Sequence, residues 1–299
     1  FQKEEFDGGN LVMWPIDLET DTTEKSYDGY DVVPVQPLDT ETIAQIDSKE
    51  YWQPIAFSFR ERDKVRGGRA VGKHVKLETN KALKELMKAI NGHMHLDGTG
   101  NSSKRIQGFA LWVASDPTSS GASPAGVSQS GNSNWRNQFK DNANSSADYL
   151  KDLRSLITAA QTAQGRPTFA LCNKDFRNTL EGKITDTFQH NPVITSAGSE
   201  KMGDPAVGRL YYRAIPIMED EDWTQYGTST GKSQAVFLDP ETWIIFNANM
   251  EASIRNLFEF IEPEKMPQQT ANVGGLRAHI AVACIVRRPN AVFFNGFNE

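Results

Sequence analysis

Two apolar periods alternate along this chain, and the switches between them mark its elements. From Val71 to Ile90 the apolar residues recur every three or four positions. Val71, Val75, Ala82, Leu83, Leu86, Met87 and Ile90 share one face of a helix, while Lys73, Lys81, Lys84 and Lys88 fall mostly on the other side. The spacing predicts a helix over about 70–95, roughly 39 Å long at ~1.5 Å per residue. Gly72 and its β-branched neighbours weaken the first turns, which leaves a start at Thr79 as the shorter alternative. Gly92 or Gly98 ends it. A second helix carries Tyr149, Leu150, Leu153, Leu156, Ile157 and Ala160, opened by Ser145 or Ser146 and stopped by Gly165 and Pro167. A third runs through Phe176, Leu180 and Ile184.

Elsewhere the pattern is that of strands. Trp52–Phe59 alternates, and Thr168–Cys172, Leu210–Ile217, Gln234–Leu238 and Trp243–Phe246 are short runs of buried type. The end of the chain, Ile280–Pro289 and then Ala291–Gly296, reads as a strand pair. Residues 117–134, rich in Ser, Gly, Pro and Asn, read as a long surface loop. Strands and helices follow in no regular βαβ repeat, which predicts an α+β fold.

Residues 9–47 follow neither plan. Leu11–Trp14 and Asp31–Val35 are strand-like and flank an acidic, polar middle from Asp17 to Asp28. Pro15, Pro34 and Pro37 suit an exposed two-stranded ribbon better than a central strand. Such a ribbon is marginal alone in water, so it must lie on something else. At ~3.3 Å per residue, an arm of about 15 residues reaches roughly 50 Å.

Composition narrows the function. The 299 residues are 38% hydrophobic and 23% charged, ordinary for a globular chain. No stretch approaches the ~20 apolar residues of a membrane helix, and no signal peptide opens the sequence. The chain starts at Phe1, so the expectation is that it begins inside a longer gene product. Its net charge of −6 suits weak rather than tight contact with nucleic acid. Cys172 and Cys284 sit in apolar runs and read as reduced, buried thiols.

Candidate chemistry is sparse. Gly227-Thr-Ser-Thr-Gly-Lys-Ser233 suggests a phosphate loop, but only three residues separate its glycines and a strand, not a helix, follows it. A polar turn is the better reading. His93 and His95 are two apart, so on a helix they diverge and share no metal. Glu219-Asp-Glu-Asp222 could draw a divalent cation, though the plainer reading is a solvated acidic loop. Arg287-Arg288 reads as exposed or interface charge before it reads as a DNA patch. Neither thiol has the surroundings of a nucleophile, and the five histidines offer no visible general base. The expectation is a protein with no catalytic residues, metal or cofactor.

Several motifs in order resemble a known family. The long helix runs into Asp97-Gly-Thr-Gly100. Gly108-Phe-Ala-Leu-Trp-Val-Ala-Ser-Asp-Pro-Thr118 and Trp135-Arg-Asn137 follow, then Gly208-Arg-Leu-Tyr-Tyr-Arg-Ala-Ile-Pro-Ile217. Leu276-Arg-Ala-His-Ile-Ala-Val-Ala-Cys-Ile-Val-Arg-Arg-Pro289 closes the series. With the hairpin ahead of the helix, this series is similar to the major capsid proteins of tailed bacteriophages, which have the Hong Kong 97-type fold. The likeness covers nearly the whole chain. It implies an N-terminal arm remnant at 1–8, an extended E-loop at 9–47, a peripheral (P) domain from 48–110 and 240–299 with a long spine helix, and an axial (A) domain from 111–239.

The resemblance also implies a role. The chain would be a structural major head protein, self-assembling as hexamers and pentamers into an icosahedral shell around double-stranded DNA. Its partners would be further copies of itself, a portal, and scaffold, protease or decoration proteins, with weak contact to DNA and no membrane. It would reside in the virion capsid after assembly in the bacterial cytoplasm. Trp14, Tyr27 and Tyr30 are the candidate inter-subunit contacts, because aromatic side chains dominate interface energetics. Some members cross-link an E-loop lysine to a neighbour's asparagine; here only Lys25 lies in the arm and no partner asparagine matches, so that reaction is not expected. The alternatives are an encapsulin-type nanocompartment shell and, more remotely, a soluble α/β enzyme.

Overall fold

The computed structural model describes residues 2–5, 11–18, 41–58, 68–118, 123–142, 149–161, 165–187, 210–221, 223, 233–247, 258–265 and 271–295. The chain opens with β1 (Gln2–Glu5), then β2 (Leu11–Asp17), β3 (Glu41–Asp47) and β4 (Lys49–Ser58). β2 and β3 form a two-stranded antiparallel ribbon in which Trp14 faces Ala44 and Val12 faces Ile46. The partner of the first strand is therefore not Asp31–Val35, which lies outside the described residues. Residues 41–47 win the pairing because Ala44 and Ile46 alternate onto the same covered face as Val12 and Ile16.

Helix α1 spans Gly68–Met94, so the early start holds and the shorter alternative at Thr79 does not. Ala82 and Leu86 bury against Ile55 and Leu276. The helix unwinds into a tight turn in which Asp97 Oδ1 accepts from the Thr99 amide and hydroxyl, at 3.0 and 2.8 Å. Gly98 takes φ +84° there, the left-handed region that glycine enters without a Cβ penalty. The chain returns past the helix end at Gly108, where any Cβ would overlap the Met94 and Leu96 carbonyls. A short helix, α2 (Phe109–Trp112), follows, and then 3₁₀ turns at Pro124–Gly126 and Ser133–Trp135 within the expected loop.

The second half continues with β5 (Gln138–Asn142), α3 (Tyr149–Ala160), β6 (Phe169–Cys172), α4 (Lys174–Thr187), β7 (Leu210–Tyr212) and β8 (Ile215–Glu219). It closes with β9 (Ser233–Leu238), β10 (Trp243–Asn247), β11 (Glu259–Lys265), β12 (Ala271–Cys284) and β13 (Ala291–Asn295). The run Leu210–Ile217 is two strands, not one. They fold back on each other around Arg213 and Ala214, at φ 50° and 66°. Two successive positive φ values are the geometry of a tight hairpin turn normally written Asn-Gly, which is why Arg-Ala gave no turn signal.

Two sheets hold the fold. In the first, β12 pairs β4 on one side and both β11 and β10 on the other, with β1 beyond β10. The second has the order β5-β13-β9-β6-β8-β7. The C-terminal strand pair is thus corrected: β12 and β13 do not pair with each other but lie in different sheets, so residues 291–295 are hydrogen bonded beside β5 and β9. Asn290 makes the switch possible. Its Oδ1 accepts from the Asp239 amide and Trp243 Nε1, both at 3.0 Å, which pins the turn before β13 to the turn before β10. All six residues of β9 are buried, as a central strand requires. Tyr149, Phe176, Phe237 and Phe293 pack between α3, α4 and this sheet, edge-on in three of their four ring contacts and tilted between Tyr149 and Phe176.

Candidate assembly interface

The ribbon β2–β3 presents two unlike faces. Val12, Ile16, Ala44 and Ile46 are buried in one continuous core with Trp112, Trp135, Trp243 and Phe246. Trp14 sits half-buried in the same row, 6.2 Å from the ring of Trp112 and 6.5 Å from that of Phe246. Asn134 donates to the Leu18 carbonyl at 3.1 Å. The root of the arm is therefore part of its own chain's core, which supplies the support a lone ribbon needs: strand alternation gives it an apolar inner row that can dock at home. On the outer face Leu11, Met13 and Ile43 are 39%, 61% and 67% exposed. Covering three such side chains is worth roughly 3–6 kcal/mol before entropy.

Helix α1 adds further exposed apolar groups, Leu77 at 63% and Met87 at 53%. Beneath it an open apolar cleft of about 320 Å³ lies where helix and sheets meet, lined by Met87, Ile90, Met94, Phe169, Leu171 and Ile280 among others.

Buried polar groups fix these surfaces relative to each other. Arg287 is 1% exposed. Its Nε donates to the Trp112 carbonyl at 2.7 Å, Nη1 to the Trp135 carbonyl at 2.9 Å and Nη2 to Asn137 Oδ1 at 3.2 Å, with the guanidinium over the Trp135 ring. Burial pulls its pKa down to about 9. The expectation of exposed charge fails for Arg287 because two backbone carbonyls and an amide desolvate it without waste; Arg288 alone is exposed. The acidic loop is corrected likewise. Asp220 accepts from the fully buried His95 at 2.8 Å and from Asn91, while Glu219 pairs with Arg177 at 3.2 Å.

His93 turns away from His95 to the Tyr51 hydroxyl at 3.2 Å, and that hydroxyl accepts from the Ile106 amide. The two imidazoles thus serve different partners. Burial holds His93 and His279 below the ordinary histidine pKa, and raises both thiols, Cys172 and Cys284, to about 12. Among the described residues no three metal-capable side chains converge. Most of the Gly227–Ser233 loop lies outside the described residues, and the element after it is the strand β9.

No family model matches this sequence, and no curated protein matches it. Solved structures do. The capsid asymmetric unit of cyanophage A-1(L) superposes with a TM-score of 0.65 at 12% identity, over 95% of this chain and 87% of that one. The capsid of a native GTA particle gives 0.62 at 10% identity, over 99% and 88%. The holo-SrpI encapsulin complex from Synechococcus elongatus PCC 7942 gives 0.59 at 10% identity, over 98% and 84%. The chain has the Hong Kong 97-type capsid fold.

Helix α1 occupies the stretch expected for the spine helix, and β2–β3 the two ends of the stretch expected for the E-loop. Of the three candidate contact residues, Trp14 lies in β2, packed on its own chain. Tyr27 and Tyr30 lie outside the described residues. Sequence reasoning missed the outward row Leu11, Met13 and Ile43, whose signal was present: apolar residues on both faces of an alternating ribbon. It also missed the Arg287 knot, whose acceptors stand 175 and 152 residues away in sequence and leave no local trace.

Proposed function

We propose that this chain is the major shell protein of a tailed-phage-type head, a structural subunit that assembles as hexamers and pentamers into an icosahedral shell around double-stranded DNA. The observation that carries the reading is the likeness in fold to phage and GTA capsids over 95–99% of the chain. The ribbon supports it independently. Its inner row is committed to the subunit's own core, while its outer row presents large apolar side chains with no cover among the described residues.

The work such a protein does is association. Trp14 and the inner row hold the arm at a fixed exit angle, so its flexibility is lost at folding rather than at assembly. The 22 residues between the two strands set an upper bound of about 36 Å on how far a returning chain can reach at ~3.3 Å per residue, enough to contact a neighbour. Tyr27 and Tyr30 are the proposed anchors at that far end, and the outer row at the near end. Each contact is individually weak, and repetition around a closed shell makes the whole rigid by multivalency. Virion location, a portal at one vertex and light contact with DNA belong to the same reading.

The encapsulin match favours a second reading, a shell of the same fold that encloses a cargo protein. Two preparations separate the readings. The full chain, expressed alone in bacteria, is examined by sedimentation and negative-stain microscopy; closed shells tens of nanometres across are expected, and a stable monomer under assembly conditions would end both. Particles containing this chain, purified from its native source, are then treated with nuclease; protected DNA is expected, and shells that hold only a cargo protein would favour the encapsulin reading.

A further inference from the structure

A serine, a histidine and a glutamate meet at the corner where the ribbon enters the first sheet. Ser48 is the single residue between β3 and β4, and it is half-buried. Its Oγ lies 2.7 Å from Nε2 of His279, on β12. Glu50 pairs with His279 across the two strands, and its Oε1 lies 4.0 Å from Nδ1, an ion-pair distance. Arg277, two positions before His279 on β12, reaches that same carboxylate oxygen at 2.7 Å and stands 3.9 Å from Glu259 on β11. No local motif announces the set, because 231 positions separate Ser48 from His279.

We propose that Ser48 is an activated nucleophile, with His279 as its general base, that accepts acyl groups from activated esters. The inference stands apart from the shell reading and gives the corner a chemistry that assembly does not require. The order of groups is that of acyl-transfer sites: hydroxyl, imidazole, carboxylate, with the two ring nitrogens facing different oxygens. The tautomer with its hydrogen on Nδ1, towards Glu50, leaves Nε2 as the acceptor. Ser48 Oγ attacks the acyl carbon and its proton passes to Nε2. The bond from that carbon to the leaving alcohol then breaks, and the proton goes from Nε2 to the alcohol. The products are an ester of Ser48 and the alcohol, with nothing oxidised or reduced. The base must be neutral to act. Burial holds His279 below the ordinary histidine value; Glu50 pulls it back up and Arg277 pushes it down. The neutral ring therefore prevails at pH ~7. Glu50, fixed by Arg277, is a positioning residue that turns Nε2 towards Ser48.

The test treats the folded full-length chain with a fluorophosphonate, whose phosphorus takes the place of the acyl carbon and whose fluoride leaves. Peptide mass spectrometry locates the adduct. Ser48 is expected to react at least about tenfold faster than Ser128 and Ser155, exposed serines bonded to a hydroxyl and to a backbone carbonyl. No adduct on Ser48, or one formed no faster than at those two, would overturn the proposal. On the unmodified chain the rate should be level above pH ~7 and fall below it with a midpoint under 6.5, as His279 takes up a proton. A rate that climbs steadily above pH ~8 would deny the base and overturn it too. His279→Gln, which can still bond Ser48, should slow the adduct about a hundredfold; an unchanged rate counts against the proposal. Glu50→Gln should move the pH midpoint down, because the carboxylate favours the charged ring, and an unmoved midpoint would take Glu50 out of the set. Acetyl transfer from p-nitrophenyl acetate to the same hydroxyl is expected, and phosphonylation without it would overturn the acyl class.

Discussion

The two faces of the β2–β3 ribbon differ by one residue in register and by everything in use. Val12, Ile16, Ala44 and Ile46 are closed into a core with three tryptophans, whereas Leu11, Met13 and Ile43, their immediate neighbours in sequence, stand open. Hydrophobicity does not separate the rows. What separates them is which side the subunit itself can reach. A strand with apolar residues on both faces carries two instructions, one for folding and one for association, and strand alternation keeps them independent.

That independence is what mutations can break. The largest effect should come from the knot that holds the inner face in place. Arg287→Ala removes donors from the Trp112 and Trp135 carbonyls and should cost about 3–5 kcal/mol, read as a loss in urea midpoint. An unchanged midpoint would mean that the knot contributes nothing. Ile46→Ala, on the inner row at 2% exposure, should cost about 2–4 kcal/mol by the same measurement.

A smaller effect concerns pH. Burial holds His93 and His279 below the unfolded histidine value of 6.5, so the unfolded chain takes up their protons first as pH falls. Their contribution is present above pH ~6.5 and lost below it, and melting temperature should drop between pH 7.5 and 5. Replacing both by Gln should flatten that drop; a slope of the same steepness would place the titration elsewhere. On the outer row, Met13→Ser with Ile43→Ser should move the midpoint by no more than about 0.5 kcal/mol.

Much of this was legible beforehand, and the failures have physical causes. The long helix was readable because one apolar stripe repeats over about five turns, from Val71 to Ile90, and β9 because it is a short apolar run of buried type. The ribbon was recognised, but its second strand was misplaced: Asp31–Val35 is the more β-branched run, whereas 41–47 has the alternation that matches the inner row. The Arg213–Ala214 hairpin carries none of the residues that normally write such a turn. Arg287 read as surface charge because adjacent arginines usually are, and nothing nearby announces acceptors more than 150 residues away. Local pattern set the elements. The long-range decisions, which sheet takes β13 and which cation goes inside, were made by packing that no window of sequence contains.

The claim that folding and assembly use opposite faces of one ribbon is tested most directly by sedimentation of the Met13→Ser, Ile43→Ser chain under conditions in which the unmodified chain forms shells. The account predicts that the variant stays a soluble subunit or capsomer and builds no stable shell. Normal shells in normal yield would contradict it, since the exposed row would then have no part in assembly.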